Sequence, residues 1–206
     1  MKPIVAILGA ADNTGSAIAH SLAPAGYRLL LADDINDDSS PSIECLAQLL
    51  CRIRERASHA DANIVFSSHE ASREADIIIA AIPYSTQAAV ARRISDVAAG
   101  KIVVSMNNPL NGTGGGFVQP TTSAAEELAR LLPHARVIKA FNTILASHYA
   151  MPSVAGQILD VFVAGDDDEA VATVTQLVRD AGFNPLFAGN LPMSRTLEGM
   201  MALLIE

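Results

Sequence analysis

IVAILGAADNTG, residues 4–15, is the stretch of sequence that decides the fold. A short apolar run comes first, a turn of small and polar residues between Gly9 and Gly15 follows, and residues 13–25 then carry apolar side chains at helical spacing. Gly26 closes this helix, as glycine commonly does at a helix C-terminus. A strand, a tight turn and an amphipathic helix in this order predict the first unit of a parallel α/β sheet.

Strand-like and helix-like segments alternate over the rest of the sequence. The further predicted strands are short apolar runs at residues 28–32, 63–67, 76–82, 101–106, 135–140, 159–164 and 183–187. The further predicted helices cover residues 43–56, 86–98, a segment opened by Ser123 and Glu126 in capping-box spacing, 168–181 and 193–206. Several strands are apolar on both faces, which requires helices on both sides of the sheet. The sequence therefore predicts an α/β fold: a Rossmann-like, doubly wound, mostly parallel sheet with a short C-terminal helical extension.

Length and composition indicate one globular unit with a large core. The chain has 206 residues, of which 50% are hydrophobic and 17% are charged, against about 25% charged in an average protein. We expect residues 1–206 to form a single domain. Pro152 and Gly156 break the pattern at residues 151–156, which marks a candidate seam before a C-terminal subregion at residues 157–206.

The charge balance argues against nucleic acid as a partner. Lys and Arg number 14 and Asp and Glu number 22, which gives a net charge of −8, whereas nucleic-acid binding needs a basic face. Residues 4–8 are far too short to span a bilayer, and no later apolar run reaches the roughly 18 residues that a spanning helix needs. No signal-type cleavage site follows the first apolar run. We therefore expect a cytoplasmic protein without a membrane partner.

Cysteine and histidine usage predicts no metal site. Cys45 and Cys51 lie in a predicted helix at a spacing that is neither Cys-x-x-Cys nor a zinc pattern, so we expect two buried free thiols. The histidines are scattered. The last predicted helix carries a methionine-rich apolar stripe that fits the core or a second subunit. We expect a homodimer, because low charge and excess apolar surface need cover.

The turn after the first strand is suited to a pyrophosphate. Small residues let the backbone come close to a ligand, and the free amides at a helix start point towards phosphate oxygens. The candidate residues are Gly9, Ala10, Ala11, Asp12, Asn13, Thr14 and Gly15. A simple Gly-x-Gly-x-x-Gly is absent, and the alternative is a plain tight turn in which Asp12 or Asn13 is the helix N-cap.

Asp12 conflicts with an anionic ligand. Its carboxylate would repel the pyrophosphate, bond to the same amides, or point away into solvent. We expect Asp12→Gly to leave dinucleotide affinity unchanged or tighter.

The end of the second strand indicates which dinucleotide binds. An acidic residue about 20 positions beyond the glycine turn commonly accepts a hydrogen bond from the adenosine ribose. Asp33 has this position, and Asp34 is the alternate. A 2′-phosphate beside that carboxylate would face like charge, and no basic residue lies between Arg28 and Arg52. The cofactor is thus NAD or NADP, with NAD favoured; the alternative is that both acids only cap a loop.

Six short motifs recur here in the order known from one family. They are AIPY (81–84), NNPL (107–110), VIKAFNT (137–143), GDDDEA (165–170), GFNPL (182–186) and GNL (189–191). With the glycine turn, they make the chain resemble the coenzyme F-420-dependent NADP oxidoreductases, whose coenzyme is a deazaflavin. Pyrroline-5-carboxylate reductases and the reductase domain of STEAP metalloreductases are related to that family. The resemblance covers nearly the whole chain.

The resemblance implies hydride transfer between NADP and a deazaflavin or flavin held near the nicotinamide. Two departures from the family pattern put NADP specificity in doubt. The family turn usually reads Gly-Gly-Thr-Gly-x-x-Gly, from which Ala10, Ala11 and Asp12 depart. The family's second strand usually ends in Ser-Arg, where this chain has Asp33 and Asp34.

The resemblance also implies roles for residues that follow strand ends, where open α/β sheets bind their ligands. Ile82, Pro83 and Tyr84 would lie along the dinucleotide, with Asn108 and Pro109 near the nicotinamide and Phe141, Asn142 and Thr143 around the second ligand. Each has a simpler alternative: the prolines stop strands, Tyr84 packs on the surface, and Asn142 caps a helix. Lys139 is expected to be a strand-end charge, and the glycine-rich loop at residues 112–116 is either a lid or an insertion.

The sequence therefore predicts an NAD(P)-dependent oxidoreductase acting on a small-molecule redox substrate. Hydride transfer depends mainly on positioning two rings in a dry cleft, so no nucleophile or metal is required, and no catalytic residue is assigned. The rival hypothesis is a dinucleotide-binding or regulatory module without turnover, which Asp12 favours. Imine reduction ranks third, because pyrroline-5-carboxylate reductases carry a long helical C-terminal domain that these residues lack.

Overall fold

Six parallel strands form the larger part of the sheet in the computed structural model, which describes residues 2–33, 41–109 and 121–204. They are β1 (Ile4–Leu8), β2 (Arg28–Ala32), β3 (Asp61–Val65), β4 (Ile77–Ala80), β5 (Ile102–Ser105) and β6 (Arg136–Lys139). Their spatial order is β3-β2-β1-β4-β5-β6, and each neighbouring pair is parallel. This is the order of the doubly wound Rossmann fold, so the predicted fold class is confirmed.

Helices connect the strands and cover the two faces of the sheet. They are α1 (Asn13–Leu22), α2 (Pro41–Arg56), α3 (Ser68–Glu74), α4 (Tyr84–Ile94), α5 (Ala124–Leu131), α6 (Asp168–Asp180) and α7 (Ser194–Leu204). Gly26 has φ +79° after the first helical segment, and Ser123 and Glu126 form the predicted capping box at the start of α5.

Four later strands extend the fold beyond β6. Strands β7 (Ser153–Val154) and β8 (Gln157–Ile158) form a small antiparallel hairpin. Strand β9 (Asp160–Gly165) pairs antiparallel with β6, and β10 (Asn184–Gly189) pairs parallel with β9 across the connecting helix α6. The sheet is therefore mostly parallel, with β10 at one edge and β3 at the other. The predicted single domain, with its seam at residues 151–156, stays a prediction.

Alternate residues of the central strands belong to two separate hydrophobic clusters. Val5 and Ile7 of β1 pack into one cluster, while Ala6 and Leu8 pack into the other. Because successive side chains of a strand point to opposite faces, each central strand contributes to both cores. This explains why β1 and β4 are apolar without alternation, as strands covered on both sides must be.

The sequence interpretation missed two elements and misplaced two side chains. Helix α3 and the β7–β8 hairpin were not predicted. The expectation that Cys45 and Cys51 are buried is wrong, because both are exposed. Helix α2 buries Leu46, Leu49 and Ile53, and the two cysteines lie off that face of the helix.

Within the described ranges, no group of three His, Cys, Asp or Glu side chains is placed to hold a metal ion. In the same part of the chain, no helix combines the length and the apolar content needed to cross a bilayer.

Candidate functional site

The turn between β1 and α1 brings three backbone segments into close contact. Gly9 has φ +78°, and a Cβ atom built there would overlap the carbonyl oxygen of Ala81 just beyond β4. A Cβ atom on Gly15 would overlap the carbonyl of Gly9 itself. Both glycines are therefore required by close backbone approach, which is the role that glycines have in dinucleotide-binding turns.

Hydrogen bonds fix this turn and leave the helix start open. The amides of Gly9 and Ala10 both donate to the Ala32 carbonyl at the end of β2, at 3.0 and 3.1 Å. The Ser16 amide donates to the Asp12 carbonyl at 2.8 Å and begins the helical pattern. The amides of Asn13 and Thr14 come before this first helical hydrogen bond. The Asp12 side chain is at the N-cap position but does not cap the helix. These amides can therefore receive an anion.

A cleft of about 400 Å³ opens beside this turn. It lies at the C-terminal ends of β1, β4 and β5, where a doubly wound sheet binds its ligands. It is lined by Asp12, Asn13, Thr14, Ala81, Ile82, Pro83, Tyr84, Met106, Asn107 and Asn108. Three separate stretches of predicted site residues thus meet in one place. Pro109 is buried beside Asn108 but does not line the cleft.

A second cleft of about 250 Å³ continues the first towards the end of β2. The two clefts share Asp12, Ile82 and Pro83, and the second is also lined by Gly9 and Asp33. Asp33 therefore lines the second of two adjoining clefts, and Asn108 lines the first; together we call them the groove. The alternate acid, Asp34, lies outside the described residues.

Arg93 is a site residue that sequence reasoning missed. It projects from α4 into the same compartment as Asp33, with Ser68 also on its wall. Proximity to Asp33 in the sequence could not point to Arg93, because the two residues are sixty positions apart. The signal that could have identified Arg93 is its place in the last turn of α4, a helix that begins beside the first cleft at Tyr84.

The two ionisable groups of the first cleft have raised pKa values. Partial desolvation raises the pKa of the Asp12 carboxyl. Burial, together with the hydrogen bond that the Tyr84 hydroxyl donates to Glu127 at 2.6 Å, raises the pKa of Tyr84 to about 12. Tyr84 thus stays protonated at neutral pH, and its ring is held in place by α5.

Two asparagines join the ends of β5 and β6 at the other end of the groove. The Asn108 side-chain amide donates to the Asn142 carbonyl at 3.1 Å, and the Asn142 side-chain amide donates to Asn108 Oδ1 at 3.0 Å. Asn142 also donates to the Leu197 carbonyl in α7 at 2.9 Å. Asn142 therefore bridges β5 and α7 and does not cap an α-helix after it. Its Oδ1 is buried and accepts no hydrogen bond from a described residue.

Phe141 has an unusual backbone conformation beside this pair. Its φ is +63°, which is strained for a bulky residue. Its ring is buried against Tyr149 and Phe183, with both centroid separations at 6.2 Å, so the side chain does not line either cleft. Strain of this kind persists only where the surroundings enforce it, and it often marks functional sites. The role of Phe141, Asn142 and Thr143 around a second ligand stays a prediction.

Lys139 is not a simple strand-end charge, because it is fully buried. Its ammonium donates to the Asn107 carbonyl and, at 2.7 Å, to the Glu198 carboxylate of α7. Burial lowers the pKa of Lys139, and the attraction of Glu198 opposes that shift. Glu198 also accepts from the amide of Ala124 at 3.0 Å at the start of α5. This pair could not be predicted from the sequence, because Lys139 and Glu198 are far apart in the chain.

Comparison with known proteins places these features in a family. The family model described as "NADP oxidoreductase coenzyme F420-dependent" matches residues 4–109. An F420-dependent NADP reductase of Methanocaldococcus jannaschii is 26% identical over 208 residues, covering 98% of this chain and 90% of the relative. The metalloreductase STEAP3 of Rattus norvegicus is 39% identical over 108 residues, which are 52% of this chain and 21% of that protein.

A solved structure agrees on the fold over the full length. It is a putative F420-dependent NADP reductase from Arthrobacter sp. FB24, which matches with a TM-score of 0.82 at 23% identity and covers 99% of this chain and 92% of that one. This likeness bears on the fold alone. The family match spans β1 to the residues just beyond β5, which include the glycine turn, Asp33, residues 82–84 and Asn108. The chain therefore belongs to the family of coenzyme F420-dependent NADP oxidoreductases.

Proposed function

We propose that this protein is an NAD(P)-dependent oxidoreductase that transfers a hydride between a nicotinamide dinucleotide and a deazaflavin or flavin-like small molecule. The observation that carries the proposal is the pair of adjoining clefts whose linings together extend from Asp33, past the glycine turn, to Asn108. The named relative from Methanocaldococcus jannaschii supports it, since that protein is an F420-dependent NADP reductase.

The residues of the groove fit a dinucleotide on structural grounds. A Cβ atom at Gly9 or Gly15 would overlap backbone atoms, so the turn keeps a surface of bare backbone. The amides of Asn13 and Thr14 would bind the diphosphate, and Ile82 and Pro83 would support it from the opposite wall. Asp33 would accept a hydrogen bond from the adenosine ribose.

The chain's contribution to the reaction is orientation and exclusion of water. When bound, the reduced nicotinamide supplies a hydride, which the partner's ring accepts together with a proton from solvent. Asn108 and Asn142 hold each other in one geometry, which fixes Asn108 on the wall of the first cleft. Tyr84 stays protonated and forms an ordered wall of the cleft. A mechanism of this kind needs no nucleophile.

The choice between NAD and NADP rests on two residues of opposite charge. Asp33 favours NAD, because its carboxylate bonds to a ribose hydroxyl and repels a 2′-phosphate. Arg93 lines the same compartment and attracts that phosphate. The preference for NAD that was drawn from Asp33 therefore stays a prediction.

A binding or regulatory module without turnover is the second candidate, and the position of Asp12 favours it. Its carboxylate lines both clefts, next to the amides that would hold a diphosphate. Tight NADH binding without reduction of any acceptor would support this candidate.

The decisive experiment measures binding and turnover on the purified protein. NADH and NADPH binding is measured by calorimetry, and their oxidation is followed with a deazaflavin, with flavins and with ferric chelates. We expect saturable binding of at least one dinucleotide and reduction of a deazaflavin or flavin. Absence of nucleotide binding at millimolar concentrations would contradict both candidates.

We also propose that the protein is a homodimer in the cytoplasm. Support for a dimer comes from large apolar side chains that remain exposed on the β7–β8 hairpin and on the edge strand β10, among them Ile158 at 60% and Phe187 at 62% exposure. Soluble monomers rarely leave contiguous apolar surface uncovered.

A further inference from the structure

A buried ion pair lies behind the wall of the first cleft. Lys139 at the end of β6 and Glu198 in α7 are 0% and 1% exposed, and the Lys139 ammonium is 2.7 Å from the Glu198 carboxylate. Neither side chain lines the first or the second cleft. Because both charges lose their hydration on burial, a pair of this kind adds little net stability compared with apolar residues. Its further contacts point to its role.

The Lys139 ammonium holds the main chain of the cleft wall. It donates to the carbonyl of Asn107, and Asn107 and Asn108 both line the first cleft. The Asn107 carbonyl and the Asn108 amide belong to one planar peptide group, so a bond to that carbonyl restricts the orientation of the whole group. A charged donor makes this bond stronger than one between neutral groups. Lys139 is therefore placed to fix the orientation of this part of the wall.

The Glu198 carboxylate fixes the position of that ammonium. Besides the bond from Lys139, it accepts from the amides of Ala124 and Ala125 at the start of α5, at 3.0 and 3.4 Å. A carboxylate held by two main-chain amides has little freedom to move. The ammonium is thus fixed between the end of β5 and the start of α5.

A second connection joins the same turn of α7 to the cleft wall. The Leu197 carbonyl, one position before Glu198, accepts from the Asn142 side-chain amide at 2.9 Å. The same Asn142 amide donates to Asn108 Oδ1 at 3.0 Å. One turn of α7 therefore holds both the main chain and a side chain at this point of the wall.

We propose that Lys139 and Glu198 are positioning residues for hydride transfer, which fix the peptide between residues 107 and 108 so that the nicotinamide ring binds beside it in one orientation. The inference rests on the proposed function and deepens it, since it names the part of the dinucleotide on which the pair acts. The adenosine is expected at Asp33 and the diphosphate at the glycine turn, so the nicotinamide lies at the end of the groove that Asn108 lines. The pair therefore acts on the nicotinamide and not on the rest of the dinucleotide.

ADP-ribose and NADH test the proposal, because they share the adenosine, the diphosphate and both riboses and differ by the nicotinamide. Calorimetry gives their dissociation constants in the wild type and in Lys139→Met/Glu198→Leu, which leaves no unpaired buried charge. We expect the ratio of NADH to ADP-ribose affinity to fall roughly tenfold in this double variant, with ADP-ribose affinity within about twofold of the wild type. NADPH and 2′-phospho-ADP-ribose are the corresponding ligands if the protein prefers NADPH.

The rate of hydride transfer gives a second readout. A small misplacement of a reacting ring costs up to about 100-fold in rate. We therefore expect the single-turnover rate of dinucleotide oxidation, with an acceptor that the wild type reduces, to fall by roughly 10- to 100-fold in the double variant. The KM for that acceptor should stay within about twofold, because the pair is expected to act on the nicotinamide.

Glu198→Gln is a second variant that keeps the size of the side chain and one acceptor oxygen. It removes the charge that holds the Lys139 ammonium, so the NADH to ADP-ribose ratio should fall severalfold, by less than in the double variant. An unchanged ratio in both variants would contradict the proposal.

Arg195→Ala is the matched control, because Arg195 also joins α7 to α5, through an ion pair with Glu126 at 2.6 Å, and does not line the cleft. It should leave the affinity ratio and the single-turnover rate within about twofold of the wild type. An equal loss of NADH and ADP-ribose affinity in the double variant, or the same fall of the ratio in Arg195→Ala, would overturn the proposal, since either result would reflect only the anchoring of α7.

The affinity ratio also separates failure of this proposal from failure of the proposed function. If the wild type binds neither ligand, the proposed function fails and the positioning role fails with it. If the wild type binds NADH but reduces no acceptor, a ratio that falls in the double variant still supports the positioning role. If the wild type oxidises NADH and the double variant keeps both the ratio and the rate, the proposed function stands and the positioning role is wrong.

Discussion

Asp12 is the residue whose protonation state controls the charge at the proposed diphosphate site. Its carboxyl has a raised pKa, so it begins to take up protons above the usual range for aspartate. Protonation removes a negative charge from beside the ligand, and affinity must therefore rise as the pH falls through this pKa. We expect the affinity for NAD+ to increase as the pH falls from about 8 to about 5, because the raised pKa of Asp12 brings its protonation towards this range.

Calorimetric titrations with NAD+ over that pH range measure this effect, and Asp12→Asn is the control. NAD+ is suitable because, unlike NADP+, it has no 2′-phosphate that titrates in the same range. The variant should bind at least as tightly as the wild type at the higher pH, and its affinity should not change with pH. A loss of affinity in Asp12→Asn would show that the carboxylate contributes to binding.

Asp33 and Arg93 are expected to act in opposite directions on cofactor choice, since both line the compartment at the end of β2. Asp33→Asn removes the charge that repels a 2′-phosphate and should shift the ratio of NADPH to NADH affinity towards NADPH by roughly tenfold. Arg93→Ala should shift the same ratio towards NADH by a similar factor. Dissociation constants for both dinucleotides give the ratio in each variant.

Arg92→Ala serves as the control for Arg93, because Arg92 is its exposed neighbour on α4 and does not line the compartment. If Arg92→Ala changed the ratio as much as Arg93→Ala, the effect would come from overall charge and not from the compartment.

At the scale of elements, the sequence predicts those strands and turns that a local pattern of residues determines. The apolar runs of β1 and β4 predicted the parallel sheet, and the glycine turn predicted a dinucleotide site at its C-terminal edge, which stays a prediction. Helix α3 escaped prediction because SHEASRE, residues 68–74, has no apolar periodicity and packs through small side chains such as Ala71 and Ser72. Cys45 and Cys51 were misplaced because residue type alone does not determine which face of α2 is buried.

Contacts between distant elements account for what could not be predicted at the site. Arg93 and Asp33 line one compartment only in the folded protein, where α4 packs beside α3, whose Ser68 lies on the same wall. Lys139 and Glu198 likewise meet only after α7 has folded back over the ends of β6 and α5. No spacing in the sequence encodes either pair, whereas the glycine turn is a single continuous stretch.

The Lys139–Glu198 pair is expected to fasten α7 to the site. Glu198→Leu leaves a buried ammonium without its carboxylate and should lower the free energy of unfolding by about 3–5 kcal/mol. Lys139→Met should cost less, because Glu198 keeps the amide hydrogen bond from α5. The double variant Lys139→Met/Glu198→Leu should recover much of the loss, since no unpaired charge remains. Denaturant unfolding of the three variants gives the coupling energy.

Dinucleotide affinity of the same variants shows whether the pair also positions the cleft, because the Lys139 ammonium contacts the Asn107 carbonyl. Additive losses in the double variant would contradict the idea that the two side chains act as a charged pair.

At the scale of the whole molecule, the two faces of the sheet are covered by helices, and the ligand groove occupies the C-terminal edge of the parallel strands. The strands added after β6 place exposed apolar side chains at the opposite side of the molecule from β3. None of the exposed apolar side chains of β10 and the β7–β8 hairpin lines the two clefts, so the proposed dimer interface and the proposed dinucleotide site use different surfaces.

The apolar surface of β10 and the β7–β8 hairpin is expected to form the homodimer interface. This surface includes several large exposed apolar side chains. Leu203 of α7 is also exposed, at 76%, and is the alternative candidate for the dimer interface. Phe187→Glu places a charge where an apolar contact would be buried, and it should convert a dimer into a monomer in sedimentation velocity experiments. Leu203→Glu is the matched control and should leave the dimer intact. Because Phe187 is 62% exposed, its substitution should change the melting temperature of the monomer only slightly. A dimer that survives Phe187→Glu but is lost in Leu203→Glu would instead assign the interface to α7.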